Sequence, residues 1–516
     1  MLTRVGGTSE YRYDSKTAAV VRIGDAKERP LFPWRLEYNC PVHENWNIVH
    51  TGMLLPETQQ IYVCSDNCLR GVILTAAEMG ALSRISSVMP DENEVVNGRL
   101  EEVTIEGVAD VIEKLPVRPK AVELFLVCMH HQTGADFRYI YDTLGNRFPD
   151  IAFVPCFMDP IMQKVSLTPE QKQRKSMMDL LTASHFENNM ISVLGDNLRL
   201  PASADISRVL AVAGFTIRQI QDCKTFEDYL SMGNAGLYIT RSALSVYGLK
   251  AAAEKNGRME LYLPPTAGDA EIDAALLSLQ EALGICGMGG DLQKSGQTAK
   301  KLPPSVSQSN EKSARAFDIT AFLSSEKEKT EQAFAAARET VGGRDVELDY
   351  LAFSRPLSFA RRLLQEGFRV TRVYLDSISP EEHEDFLWLQ EKYPDLLLQS
   401  TNSTLVRKQE NLDRPERENV LALGPKAAFF ADTPYFVNWI ENDGNWGYDG
   451  LQRLCAAMIA AVKKPKNPEE IVQKKGLGWP SLVEDFPEKT EQYRRLFPTE
   501  EKEPIAHSGR AKGGAS

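Results

Sequence analysis

Four of the eight cysteines, Cys40, Cys64, Cys68 and Cys128, fall in the first quarter of the 516-residue sequence, each in a segment dense with turn-type or polar residues. Cys40-Pro41-Val42-His43 follows Asn39, and Cys64-Ser65-Asp66-Asn67-Cys68 leaves an apolar run. Cys128 ends the run Val122 to Val127, just before Met129-His130-His131-Gln132-Thr133-Gly134-Ala135-Asp136. An iron-sulfur cluster takes thiolate ligands that the fold has placed about one cuboid. Loops leaving the carboxyl ends of parallel strands converge on one sheet edge and can bring together thiols far apart in sequence. Spacing alone leaves a second reading open, four unrelated buried cysteines, because a free thiol packs as a small hydrophobe. There is no compact CxxC pair or ferredoxin-type run to decide between them. Cys156, Cys223, Cys286 and Cys455 lie nearer apolar or helical segments and read as packing residues.

Other chemistry is thinner. The pair His130-His131 suits a proton relay near a cluster, but side chains of adjacent residues diverge, so a hydrogen-bonded structural role stays open, as it does for Asp136. Nucleotide fingerprints fail: Lys294-Ser295 follows Gln293 where a P-loop needs glycine, and Gly287-Met288-Gly289 meets Leu292 where a dinucleotide fingerprint needs its third glycine. Neither ATP nor NAD binding is supported.

The elements that must position these residues alternate between strand-sized apolar runs and amphipathic stretches, the pattern of parallel sheets covered by helices. Met190 to Leu194 reads as a strand, Asp205 to Leu210 as a helix, Phe215 to Ile220 and Leu237 to Ile239 as strands, Ser242 to Ala253 as a helix, and Leu261 to Leu263 as a strand. Alternation returns at Val346 to Phe353, Leu357 to Gly367, Val370 to Leu375, Pro380 to Tyr393 and Leu396 to Gln399. The expected organisation is an N-terminal α/β domain over 1–170 carrying the cluster cysteines, a second over 171–287, a linker over 288–318 rich in Gly, Ser, Gln, Lys and Pro, a third α/β domain over 319–463, and a charged, proline-containing extension over 464–516.

Composition narrows the classes. At 43% hydrophobic and 25% charged the chain is globular, and its length calls for more than one core. A net charge of -12, from 71 acidic and 59 basic residues, disfavours a nucleic-acid partner. No apolar run approaches the ~20 residues needed to span a bilayer, and the N-terminus has no apolar leader segment, so no membrane partner and a cytoplasmic location with reduced thiols are expected.

In order and setting these residues resemble the nitrogenase component 1 family, which includes nitrogenase, the dark-operative protochlorophyllide and chlorophyllide reductases, the nickel-sirohydrochlorin reductase and cofactor-assembly scaffolds. Cys40, then Cys68 28 residues on, then Cys128 60 residues further with Gly134-Ala135-Asp136 behind it, are similar to the family's three cluster cysteines. Cys64-Ser65-Asp66-Asn67 replaces the family's His-Gly-Pro turn, which leaves Cys64 and Cys68 as alternative ligands. Val193-Leu194-Gly195-Asp196 with Leu237 to Ser242 resembles the family's second domain, and Ser354-Arg355-Pro356 with Gly447-Tyr448-Asp449-Gly450-Leu451 its third. The resemblance implies three doubly wound Rossmann-like α/β domains around a central cleft, and an iron-sulfur cluster, 4Fe-4S or P-cluster-like, on Cys40, Cys64 or Cys68, and Cys128. It also implies an ATP-dependent iron-sulfur reductase as electron donor, and a second component 1 subunit in a homo- or hetero-oligomer. Where nitrogenase anchors its molybdenum-iron cofactor by a cysteine and a histidine, this chain has Ile239 and the Val437-Asn438 pair, so no such cofactor is expected and the substrate is one other than dinitrogen. A non-catalytic scaffold for metal-cluster or tetrapyrrole assembly is the alternative.

Overall fold

The computed structural model describes residues 19–32, 40–42, 44–159, 167–284, 318–403 and 419–471. Cys286, the 288–318 linker except Asp318, and all of the C-terminal extension after Ile471 lie outside them.

Three sheets form the frame. The first contains β2 (Thr58–Val63), β3 (Ile85–Val88), β4 (Ala121–Val127) and β5 (Ala152–Met158) in the order β3-β2-β4-β5. The second contains β6 (Glu187–Val193), β7 (Thr216–Gln219), β8 (Ala235–Thr240) and β9 (Met259–Tyr262) in the order β7-β6-β8-β9. The third contains β10 (Asp345–Asp349), β11 (Arg369–Tyr374), β12 (Leu397–Gln399), β13 (Val420–Leu423) and β14 (Phe436–Val437), with β1 (Val20–Arg22) on its edge, in the order β1-β12-β11-β10-β13-β14. Every pairing is parallel except β1 with β12. Parallel strands need helical crossovers that cover both faces, which is why β2 and β4 are buried along their whole length.

The architecture is the doubly wound α/β arrangement that the sequence implied. In each sheet the winding reverses direction once: between β2 and β4, between β6 and β8, and between β10 and β13. Loops leaving the two central strands part at such a reversal and open a crevice at the carboxyl edge.

The N-terminal stretch, expected within the first domain, contributes β1 to the third sheet. Nearby Cys40 is 4% exposed and packs with Leu351, Tyr374, Ala427 and Phe436 against that same sheet. A three-residue strand is too short to carry a periodicity from which to read its partner. The second and third sheets share one continuous apolar core, in which Leu237 and Ile239 meet Leu348, Phe353 and Trp446. The long helix Ile319–Val341 lies along the helix Gly447–Lys463. No helix among the described residues is long and apolar enough to cross a membrane.

Candidate functional site

The crevice of the first sheet holds thiols. Val63 and Leu126 are register partners at the ends of β2 and β4. Cys64 follows the first strand, and Cys68 lies in the opening turn of the helix Asp66–Glu78. Cys128 opens the short helix Cys128–Thr133 directly after β4. Cys64 is buried, and burial first, then the neighbouring Cys68, pushes its thiol up to about 12, so it is protonated at neutral pH unless a metal displaces the proton. Cys68 is exposed and accepts from Ser65 Oγ at 3.6 Å, and Cys128 is half-buried. The loops therefore bring Cys64, Cys68 and Cys128 to one edge, while Cys40 packs against the third sheet. All the described cysteines are free, and among the described residues no three His, Cys, Asp or Glu side chains gather as a metal site.

The histidine pair diverges. His130 is fully buried, contacts Thr104 Oγ1 at 3.3 Å and the backbone of Val127, and is held by burial down to about 4, hence neutral and structural. His131 turns the other way, sets Nδ1 against the buried carboxylate of Asp159 after β5, and packs on Phe137 with ring centroids 4.7 Å apart. Asp136 caps the helix Phe137–Arg147 by accepting from the Tyr139 amide at 3.0 Å. Cys223 is buried beside Met232 and forms no part of the central cleft.

The other two crevices open on one cavity of about 550 Å³. From the second sheet come Asp196 and Asn197 after β6, and Arg241 and Ser242 after β8. From the third come Tyr350, Ser354 and Arg355 after β10, Asp376 after β11, Asn402 after β12, and Glu441, Asn442 and Asn445 after β14. Asn45 and Trp46 close it from the segment that leads into the first sheet. Asn197 ties the parts together: its Oδ1 accepts from Thr51 Oγ1 and Arg174 Nη2, each at 3.0 Å, and its Nδ2 donates to Glu441 Oε1 at 3.0 Å. Glu441 also accepts from the Trp46 amide at 3.3 Å, and burial raises its carboxyl above the ordinary range. Ile239 and Val437 are buried core residues of β8 and β14.

Glu441, Asn442, Asp443 and Gly444 take φ values of 50, 56, 53 and 72°, a left-handed turn with three residues that bear a Cβ. The amides of Glu441 and Asn442 anchor it on the carbonyls of Leu351 and Ala352, at 2.7 and 2.8 Å. The run Glu-Asn-Asp-Gly-Asn signals a turn in the sequence, but nothing in it announces a wall of the cleft.

A larger groove of about 1040 Å³ lies between the amino ends of β2 and β4 and the loop Gln221 to Lys224. None of the three winding reversals opens into it, so the central cleft is the better candidate.

No protein-family model and no curated protein matches the sequence. Solved structures do. One described as "Nitrogenase Cp1 at pH 6.5" is similar at a TM-score of 0.57 and 12% identity, over 84% of this chain and 96% of that one. Another, "Nitrogenase Cp1 at pH 5", is similar at 0.54 and 11% identity, over 88% and 96%. At this identity the likeness is one of fold, a nitrogenase-like component 1 fold spanning most of the chain.

Proposed function

We propose that this chain is a nitrogenase-like component 1 subunit, a cytoplasmic redox protein that takes low-potential electrons from a separate ATP-hydrolysing iron-sulfur reductase and reduces an organic substrate, not dinitrogen. The observation that carries the reading is the use of the three crevices: two open on one shared cavity, and the third carries the thiols. Cys68 and Cys128 are the residues that would hold a 4Fe-4S or P-cluster-like cluster, with Cys64 and Cys40 as further candidates. A second component 1 chain, identical or homologous, is the partner in this reading and would supply any ligand beyond those of this chain. Such a cluster, when bound, supplies one-electron transfer at low potential. The chain's own part is to bind and orient the substrate and to exclude water from it. The reductase is a separate protein in this reading because the sequence has no P-loop.

Anaerobic purification with iron and sulfide analysis and EPR tests the assignment. Cys68→Ala and Cys128→Ala should each lose most of the iron, whereas Cys223→Ser and Cys455→Ser should keep it. Colourless protein with the same metal content in all variants would overturn it.

A further inference from the structure

The charges around the central cleft are unevenly answered. Each arginine of the wall is already engaged. Arg241 pairs with Asp196 at 2.7 Å and donates to the carbonyls of Leu198 and Gly444. Arg174 donates to the carbonyls of Gly195 and Glu170 and to Asn197. Arg355 lies 3.2 Å from Glu271 and 3.6 Å from Asp385, which neutralise it although its Nε makes no hydrogen bond. The nearby ammonium of Lys426 is answered by Glu44 at 2.8 Å.

Three carboxylates of the wall are in the opposite position. Asp376 is bonded by Ser400, Thr401 and the Asn402 amide, Glu381 by the Tyr262 hydroxyl, and Glu441 by Asn197 and the Trp46 amide. Among the described residues none of the three has a basic side chain within 4 Å: Arg174 acts on Glu441 only across Asn197, Lys426 reaches Asp376 only through the Thr401 hydroxyl, and the Glu381 carboxylate meets no cation. Trp46 and Tyr262 add half-buried aromatic surface to the same wall, whereas the Tyr350 ring already carries the Lys426 ammonium 4.6 Å from its centroid. Asn445 is 3% exposed and lines the cavity, and its carboxamide makes no hydrogen bond among the described residues. That carboxamide is a donor and acceptor facing the cavity and open to a ligand.

We infer that the cleft takes an organic cation, or a molecule rich in N–H donors, held by Asp376, Glu381 and Glu441 against the aromatic wall, and that it rejects polycarboxylates such as the acidic tetrapyrroles. The inference rests on the cleft being the substrate site. Unpaired carboxylates beside aromatic faces attract a cation through charge and ring quadrupole together, and repel an anion of the same shape.

The matched probes are 2-naphthylmethylammonium and 2-naphthoate, titrated by fluorescence into the full chain, with uroporphyrin as the polycarboxylate tetrapyrrole. The ammonium should bind roughly tenfold or more tighter than the carboxylate. Glu441→Gln and Glu381→Gln should each weaken the ammonium several-fold, and Ser354→Trp should block it. Glu381 is exposed, so its variant reports on charge even where Glu441→Gln perturbs the fold. Equal or tighter binding of naphthoate, or saturable uroporphyrin binding lost in Ser354→Trp, overturns the charge preference and leaves the cleft as the site. Ammonium binding untouched by Ser354→Trp, or no saturation by any probe, overturns the cleft reading and the inference with it.

Discussion

Glu123, in the middle of β4, is a carboxyl with no access to solvent. It accepts from Gln60 Nε2 at 3.1 Å and Gln173 Nε2 at 3.4 Å, and Gln173 reaches it from the helix Pro169–Asp179, which precedes the second sheet. Burial raises this carboxyl to about 7 against the pull of Arg84 and the two amides. Burial likewise lifts Glu382 to about 7, and Asp205 and Asp349 to about 6. A carboxyl whose pKa is higher folded than unfolded gives its full stabilisation below the unfolded value and loses it as pH rises through the folded one. These carboxyls should therefore make the chain more stable at pH 5 than at pH 8, with the depressed His130 opposing them in the lower part of that range. Glu123 alone accounts for on the order of 3 kcal/mol of that difference as an upper bound, from a shift of 4.5 to about 7. Urea midpoints across this range should show the slope, and Glu123→Gln should flatten it. An identical slope in the variant would assign it to other groups. Gly52 faces the same carboxylate so closely that a Cβ would lie 2.0 Å from Glu123 Oε2, which explains the glycine at the end of its short helix.

At the scale of elements, the left-handed turn Glu441–Gly444 is where local preference and observed backbone part. Each non-glycine residue held at positive φ costs on the order of 1 kcal/mol, and such strain persists where the surroundings over-determine it, most often at functional sites. Asp443→Gly and Asp443→Ala both remove the side chain, but only glycine relieves the backbone, so the glycine variant should be the more stable of the two by about 1 kcal/mol. Thermal unfolding checks this, and an alanine variant at least as stable as the glycine one would show that the turn is not strained. Most of the regular elements were legible from the sequence. The run Val122 to Val127 is β4, and the expected helix from Leu357 is Pro356–Gln365, opened by proline. The helix expected from Ser242 begins at Val246 instead, because Ala243–Ser245 forms a tighter 3-10 turn first. The path of Glu441–Gly444 was not legible, because it depends on carbonyls of Leu351 and Ala352, some ninety residues away in sequence. The cleft itself was implied by the resemblance, and Asp196, Arg241, Ser242, Ser354 and Arg355 of its wall stand in the segments that carry it, whereas the rest of the wall comes from loops of separate sheets that share no motif. Among the cysteines, the strand-end positions of Cys64, Cys68 and Cys128 followed from the apolar runs before them, whereas Cys40 depends on where the N-terminal stretch crosses to the third sheet.

At the scale of the whole molecule, Arg241 joins the second and third parts of the chain. Its guanidinium is 7% exposed, pairs with Asp196 at 2.7 Å, and donates to Leu198 of the second part and to Gly444 at the end of the strained turn. Trp446 completes the junction by donating from Nε1 to the Leu263 carbonyl at 3.0 Å, within the core that the two sheets share. Removing one member of a buried ion pair strands the other charge, at a cost on the order of 3–5 kcal/mol, whereas removing both charges costs much less. Arg241→Met should therefore leave the Asp196 charge unpaired and the Gly444 and Leu198 carbonyls without their guanidinium donor, lower the urea midpoint sharply, and loosen the Glu441 carboxyl that faces the cleft. Asp196→Asn combined with Arg241→Met should recover much of the loss, because the amide keeps the bonds from Thr240 Oγ1 and the Arg241 backbone, at 3.2 and 3.0 Å, without a charge. The measurement is a double-mutant cycle by urea unfolding, with far-ultraviolet circular dichroism for the whole chain and Trp446 fluorescence for the junction. A single-variant midpoint equal to that of the unsubstituted chain, or strictly additive losses in the double variant, would show that the pair does not hold the cleft walls in register.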